Sequence, residues 1–303
     1  MLRGATAGGV QAKWGSVNEL ALFAGIHGIG LGLKRAFERR GLPFRTVCYV
    51  EWDDYCIEVL KARMRDGQLD DAPIWGDITT FNGRPWAGCV DIVTGGFPCQ
   101  DLSFAGKGAG LEGERSGLFF ELMRVVRDVR PGIVLLENVP ALLVRGFGRV
   151  AAEMAASGYD LQWDCLPAAA VGAPHRRDRV FILAHAAGIR CQRSAEKPGS
   201  IRTSKEDGRL PEFEGRSSDV ADAAEHGGKR SGVARAIRAG IFVSGRMGRN
   251  YRENRWAAEP DVDRVADGVP ARVDRLRALG NAGVPQVAEY VGERLIEWLD
   301  SGG

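Results

Sequence analysis

The sequence predicts an α/β protein built on a doubly wound, mostly parallel sheet, with a small irregular region inserted ahead of its C-terminal helix. Three observations predict it. Short apolar runs recur between residues 19 and 184, separated by helical stripes or loops. The first run, ELALFAG, opens straight into the glycine-rich turn GIHGIGLGL. Later runs end in a glycine pair or a single acidic residue, which puts chemistry at the carboxyl edge of a sheet, where open α/β folds bind ligands.

Residues 1–18 are small and polar and read as a loose lead-in without the apolar core of a secretory signal. Glu19–Gly25 reads as the first strand, and a helix follows through Leu33, Ala36 and Phe37. A glycine-rich turn between them lets a ligand approach the backbone and use the amides at the helix start, although many such turns are only turns. Phe44–Val50 is the second strand and ends in Glu51-Trp52. An acidic residue there, about 20 or more residues past the turn, typically holds ribose hydroxyls. Trp52 is suited either to stack on a purine or to fill a core or rim. A helix spans Asp54 to about Arg65, followed by Gly76-Asp77-Ile78. Asp77 either accepts from an exocyclic amine or caps a turn.

Val90–Val93 is a buried strand, ended by Gly95-Gly96. Pro98-Cys99 comes next, then a loop with glycines at 106, 108, 110 and 113. A helix starts near Ser116, with Leu118, Phe119, Leu122, Met123, Val125 and Val126 as its stripe. Cys99 therefore lies just past a strand end, at the mouth of a loop able to close over a substrate. Proline, strand end and loop together favour a nucleophile over a buried structural thiol. Arg130-Pro131-Gly132 is a break, and Ile133–Leu136 is a strand ending in Glu137-Asn138-Val139-Pro140. Glu137 falls on the same edge as Cys99, and its apolar neighbours weigh against a solvated charge. Gly158–Leu166 and Arg179–Ala184 are two further strands. GAPHRRDR between them, residues 172–179, is an anion-binding patch or a solvated charge run.

Composition changes after Ala184. Residues 190–259 hold fifteen Lys or Arg and ten Asp or Glu, so the basic charge of a chain with net charge +2 is concentrated there. That favours a phosphate-rich partner. The part from Cys191 to Asp219 reads as disordered. Order returns from Val273: LGNAGVPQ is a loop, and Pro285 opens a terminal helix with Val287, Val291, Leu295, Ile296 and Leu299 on its apolar face. No stretch approaches the roughly 20 apolar residues of a membrane span. Six scattered cysteines without a CxxC pair, and four scattered histidines, point to free thiols, a reducing cytoplasm and no metal site.

In this order, the motifs resemble those of the DNA cytosine-5 methyltransferases. FAGIHG resembles the family's methyl-donor loop, GGFPCQDLS its catalytic cysteine motif, LLENV its glutamate motif, HRRDRVFIL its arginine motif and RLRALGNAGVPQVAE its C-terminal motif. Glu51-Trp52 and Gly76-Asp77-Ile78 are similar to its ribose- and adenine-contacting motifs. The chain departs from the pattern at His27, where the donor loop usually has a glycine, at His175, where the arginine motif opens with glutamine, and at Gly283.

The resemblance implies S-adenosylmethionine as methyl donor, held by Phe23, Gly25, Ile26, Gly28, Glu51, Trp52, Asp77, Ile78, Pro98 and Asn281. It implies Cys99, Glu137, Arg177 and Arg179 as the catalytic set. Cys99 adds to carbon 6 of a flipped-out cytosine, Glu137 serves ring nitrogen 3, Arg179 holds the 2-oxo group and Arg177 favours the thiolate. Double-stranded DNA is the implied partner, touched by Gln100, Ser103, Arg115, Arg246, Arg249, Arg252 and Arg255. A separately encoded restriction endonuclease is a candidate partner, and a monomer in the cytoplasm, associated with the nucleoid, is expected. The implied domains are a catalytic domain over 1–186, a target-recognition domain over 187–264 and a segment over 265–303 completing the first. A tRNA cytosine methyltransferase, a DNA-binding regulator with a dead site, and a nicotinamide oxidoreductase of the same general fold, which gives no reason for Pro98-Cys99, are the alternatives.

Overall fold

A computed structural model of the chain describes residues 15–98, 117–186 and 271–301. Cys99, Gln100, Ser103, Arg115, the four arginines from 246 to 255 and the segment 191–219 lie outside the described residues. Strands β1 (Val17–Leu22), β2 (Phe44–Val50), β3 (Ile74–Trp75), β4 (Ile92–Gly95), β5 (Ile133–Asn138), β6 (Tyr159–Pro167) and β7 (Asp178–Ala186) form one sheet in the order β3-β2-β1-β4-β5-β7-β6. β3, β2, β1, β4 and β5 pair in parallel, and β7 pairs antiparallel with both β5 and β6. The sheet is mostly parallel, as its sequence predicts.

The α-helices among the described residues are α1 (Gly28–Arg39), α2 (Asp54–Arg65), α3 (Gly117–Val129), α4 (Leu142–Arg145), α5 (Phe147–Ala156), α6 (Arg272–Asn281) and α7 (Pro285–Ser301), with short 3-10 turns at Ile78–Thr80, Arg84–Trp86 and Ala168–Val171. Both sheet faces are covered, so the central strands β1, β4 and β5 are buried on successive residues rather than on alternate ones. Along β5, Val134 and Leu136 pack with α3 and α5. Ile133 and Leu135 point the other way, into the layer of Leu33 and Phe37 of α1 and Val291 and Leu295 of α7. This period of two buries each strand in two cores at once.

Several boundaries differ from the sequence expectation. The first strand ends at Leu22 rather than Gly25, because Phe23 (φ 50°) and Gly25 (φ 54°) turn the chain in left-handed conformations. The fourth runs Ile92–Gly95 rather than Val90–Val93; Gly95 stays in it, paired with Leu22 and Leu136. The two-residue β3 and helices α4 and α5 were not expected. LGNAGVPQ is not all loop: α6 continues through Leu279, Gly280 and Asn281. Asp54–Arg65 is a helix as expected, capped by the Asp53 carboxylate, which accepts from Cys56 N at 3.0 Å.

Candidate active site

The sheet order reverses between β1 and β4, and the crevice outside the strand ends at such a reversal is where open α/β sheets bind ligands. The turn Phe23–His27 leaves β1 on one side of it, and Gly96-Phe97-Pro98 leaves β4 on the other. β7 runs opposite to β5, with Val180 facing Asn138, so its first residues arrive at the same edge. Topology thus brings Phe23, Gly25, Glu51, Pro98, Glu137, Arg177 and Arg179 to one rim, although they come from five separate parts of the sequence.

On the β1–β2 side, Glu51 is 92% buried, with 8% exposure. Its Oε2 accepts from Gly25 N at 2.6 Å, and its Oε1 from Trp52 N at 3.0 Å and Asp53 N at 2.9 Å. Burial pushes its carboxyl up, and the three amides pull against that without reversing it. Beside it the Trp52 indole is 82% exposed, a bare aromatic face on a rim. Space over the Cα of Gly25 is empty, so its backbone is open to close approach. Gly28 is different: a Cβ there would overlap the carbonyl oxygen of Gly283, so the missing side chain makes room for the C-terminal segment.

Asp77 caps the short turn Ile78–Thr80, and both its oxygens lie 2.8 Å from the Thr79 hydroxyl. These are the contacts of a capping residue, and the Asp77 side chain stays exposed on the rim. The Ile78 side chain is buried in the core, which leaves only its main chain to meet a ligand.

On the β4–β5 side, Glu137 is 4% exposed. Arg179 Nε lies 3.0 Å from its Oε1, yet no N–H is well directed at that oxygen. Burial pushes the Glu137 carboxyl up to about 7, against the lowering pull of Arg179 and then Arg177. A carboxyl poised there holds or gives a proton near neutral pH. Asn138, next along β5, donates from Nδ2 to Phe97 O at 2.9 Å and accepts from Val139 N at 2.9 Å. It ties the chain just ahead of Pro98 to the glutamate strand. Sequence reading passed over Asn138, although its place between Glu137 and Val139-Pro140 marked it.

Arg177, in a left-handed conformation at φ 37°, donates from one terminal nitrogen to Leu279 O (3.2 Å), Gly280 O (2.7 Å) and Ala282 O (2.6 Å). A cation on the last carbonyls of a helix satisfies groups that the helix leaves open and complements its dipole. That contact explains why α6 persists through a glycine to Asn281, which ends exposed at the same rim. Arg176 pairs with Asp178 at 2.9 Å. Each arginine of GAPHRRDR thus has a partner within the chain, and the run is neither an open anion patch nor simply solvated. Arg277 of α6 reaches Asp53 Oδ2 at 2.6 Å, so the same helix also touches the residue after Trp52.

A family model described as C-5 cytosine-specific DNA methylase matches residues 17–235. The chain is 35% identical over 170 residues to the Type II methyltransferase M.CviJI of Paramecium bursaria Chlorella virus IL3A, covering 56% of this chain and 43% of that one. It is 34% identical over 170 residues to the Type II methyltransferase M.Eco47II of Escherichia coli, covering 54% and 38%. The chain thus spans less than half the length of these curated relatives. Among solved structures, a DNMT2 variant of Spodoptera frugiperda superposes with a TM-score of 0.48 at 20% identity, covering 65% of this chain and 56% of that one. The family match extends over most of the sequence, through the β1 turn, the cysteine motif, β5 and β7, and on it the chain belongs to the C-5 cytosine-specific DNA methylases.

Proposed function

We propose that the protein transfers a methyl group from S-adenosylmethionine to carbon 5 of cytosine in double-stranded DNA. The observation that carries this reading is the buried Glu137, its carboxyl pushed to about 7 beside Arg179, on the rim where β4 leads through Pro98 to Cys99.

The donor pocket is assigned to the β1–β2 side. The Trp52 face suits an adenine ring, the Glu51 carboxylate suits ribose hydroxyls, and the bare Gly25 backbone suits the close approach of the rest. The donor supplies an electrophilic methyl group on a sulfonium. The Cys99 thiolate adds to carbon 6 while protonated Glu137 gives its proton to ring nitrogen 3, which makes carbon 5 nucleophilic. Carbon 5 takes the methyl as the bond from that methyl to the sulfonium sulfur breaks, its electron pair staying on sulfur to leave a neutral thioether. A base removes the carbon 5 proton, the thiolate leaves carbon 6 with its electron pair, and nitrogen 3 returns its proton to Glu137. Arg179 holds the 2-oxo group and keeps Glu137 in place. Carbon 5 and carbon 6 are inaccessible inside a stacked duplex, so the target base is flipped out at a cost of about a few kcal/mol. The basic residues between 190 and 259, with Gln100, Ser103 and Arg115, are assigned to the DNA.

Bisulfite sequencing of DNA from cells expressing the full chain tests this without knowledge of the target. Protected cytosines in one fixed sequence context, absent with Cys99→Ala, are expected. Protection that persists in Cys99→Ala, or none with the parent chain, overturns it.

A further inference from the structure

Beneath the β1 turn lies a polar cluster that the proposed reaction does not use. Glu19, in the middle of β1, is fully buried at 0% exposure, and His27, at the start of α1, is 4% exposed. Glu19 Oε1 accepts from the Thr94 hydroxyl of β4 at 2.6 Å, and its Oε2 from the Thr46 hydroxyl of β2 at 2.7 Å. His27 Nε2 stands 3.4 Å from Glu19 Oε2 and 3.2 Å from the Thr46 hydroxyl. The imidazole edge meets the Tyr49 ring at 4.9 Å. Burial raises the Glu19 carboxyl, but the imidazole and the two hydroxyls more than reverse this and hold it below the ordinary range. Thr46 of β2, Thr94 of β4 and His27 at the end of the turn therefore converge on Glu19 of β1, and His27 itself meets Glu19 and Thr46.

That side chain sits on strained backbone. His27 has φ 64° and ψ 36°, a left-handed conformation that costs a residue with a Cβ and suits glycine. Such a conformation persists where the surroundings over-determine it. Gly30 completes the arrangement, since a Cβ there would overlap the imidazole. His27 N donates to Ala24 O at 2.7 Å, and Gly25 N is held by Glu51 at 2.6 Å. The turn is thus fastened at its start by Glu51 and at its end by His27.

We propose that His27 and Glu19 are positioning residues for the methyl donor: the buried pair, bridged by Thr46, holds the Phe23–His27 turn in its donor-binding shape. This rests on the reading that the turn binds S-adenosylmethionine. The pair touches neither donor nor base and acts through the backbone of Gly25 and Ile26.

The test is a double-substitution cycle read in two ways: amide exchange of residues 23–31 in the unliganded protein, and calorimetric binding of S-adenosylhomocysteine. Glu19→Leu leaves His27 with only the Thr46 hydroxyl, and His27→Gly leaves Glu19 with only the hydroxyls of Thr46 and Thr94. Each is expected to speed exchange of the turn and weaken binding about tenfold, the size of a coupling between contacting buried groups. Donor affinity falls more than kcat at saturating donor. The double variant Glu19→Leu, His27→Gly is expected to return to within about threefold of the parent, because glycine adopts the turn unaided and no buried charge remains. Thr46→Val, nearly isosteric, covers the case in which Glu19→Leu fails to fold, and is expected to shift both readouts in the same direction. Unchanged exchange in Thr46→Val, or losses that simply add in the double variant, overturn the proposal. Exchange that responds as expected in a parent that binds no donor supports the anchoring and overturns the donor reading instead.

Discussion

Arg179 Nε stands 3.0 Å from Glu137 Oε1, an ion pair that fails to bring the carboxyl back to its ordinary range. The folded carboxyl titrates at about 7 and an unperturbed one at 4.5, so the native state binds this proton more tightly than the unfolded chain. The stability it contributes is complete below pH 4.5 and is lost as pH rises to about 7, roughly 3 kcal/mol by linkage. Glu137→Gln carries no such dependence. In urea unfolding, the stability difference between the two proteins should move toward the variant by roughly that amount between pH 5 and 8. Methyl transfer by the variant should fall by about a hundredfold or more. A difference that does not change with pH removes the basis for a proton on Glu137.

Arg177, expected to favour a thiolate, spans three carbonyls at the end of α6 with one terminal nitrogen. Arg177→Met should cost roughly 1–3 kcal/mol of stability, the range for hydrogen bonds to a charged group. Amide exchange should quicken across residues 279–284. Arg177→Lys should restore part of it, because all three contacts come from one nitrogen and an ammonium carries three donors on one nitrogen. If exchange there is unaffected, the arginine has its role elsewhere.

Asn138 ties Phe97 to β5 at 2.9 Å, one residue before Pro98. Asn138→Asp keeps the acceptor for Val139 N and loses the donor to Phe97 O. The expected result is a fall of about tenfold or more in kcat with donor affinity nearly unchanged, since small misplacement of a reacting group costs rate. An equal loss of donor affinity would place Asn138 in the wrong half of the crevice.

Much of the fold was legible because both sheet faces are covered. Runs such as Ile133–Leu136 are apolar on every residue, as a strand covered on both faces is, and the preceding Pro131-Gly132 with β-branched Ile133 and Val134 favours strand over helix. The acidic residues ending β2 and β5 were legible for the same reason, as lone charges on apolar runs. What stayed hidden depends on partners distant in sequence. Nothing local says that Arg177 meets Gly280, 103 residues away, or that Glu19 in β1 meets Thr94 of β4. Leu279-Gly280-Asn281 reads as a loop until an arginine caps it. The strand boundary at Leu22 was missed because Phe23 adopts a positive φ that its side chain gives no reason to expect. Helices α4 and α5 went unassigned although α5 carries the stripe Phe147, Val150, Ala151 and Met154; the two-residue β3 is too short to show a period.

Two glycines of the same turn are required for different reasons, and alanine separates them. Gly25 has φ 54° with nothing within 4 Å of a prospective Cβ. Gly25→Ala should therefore cost about 1–2 kcal/mol of backbone strain and leave the packing of α7 untouched. Gly28 has an ordinary φ, and a Cβ there would overlap backbone, the Gly283 carbonyl. Backbone cannot rotate aside as a side chain does, so the link at Gly283, just ahead of α7, must move off the start of α1, and overpacking of this kind costs about 1–3 kcal/mol or more. Thermal unfolding should rank Gly28→Ala at or below Gly25→Ala, and only Gly28→Ala should speed amide exchange in residues 283–291. The donor should sense the reverse order, since Gly25 faces open space on the rim and Gly28 faces the C-terminal segment. A Gly28→Ala protein with native exchange across residues 283–291 would mean that the start of α1 and the link ahead of α7 do not meet at Gly28 and Gly283.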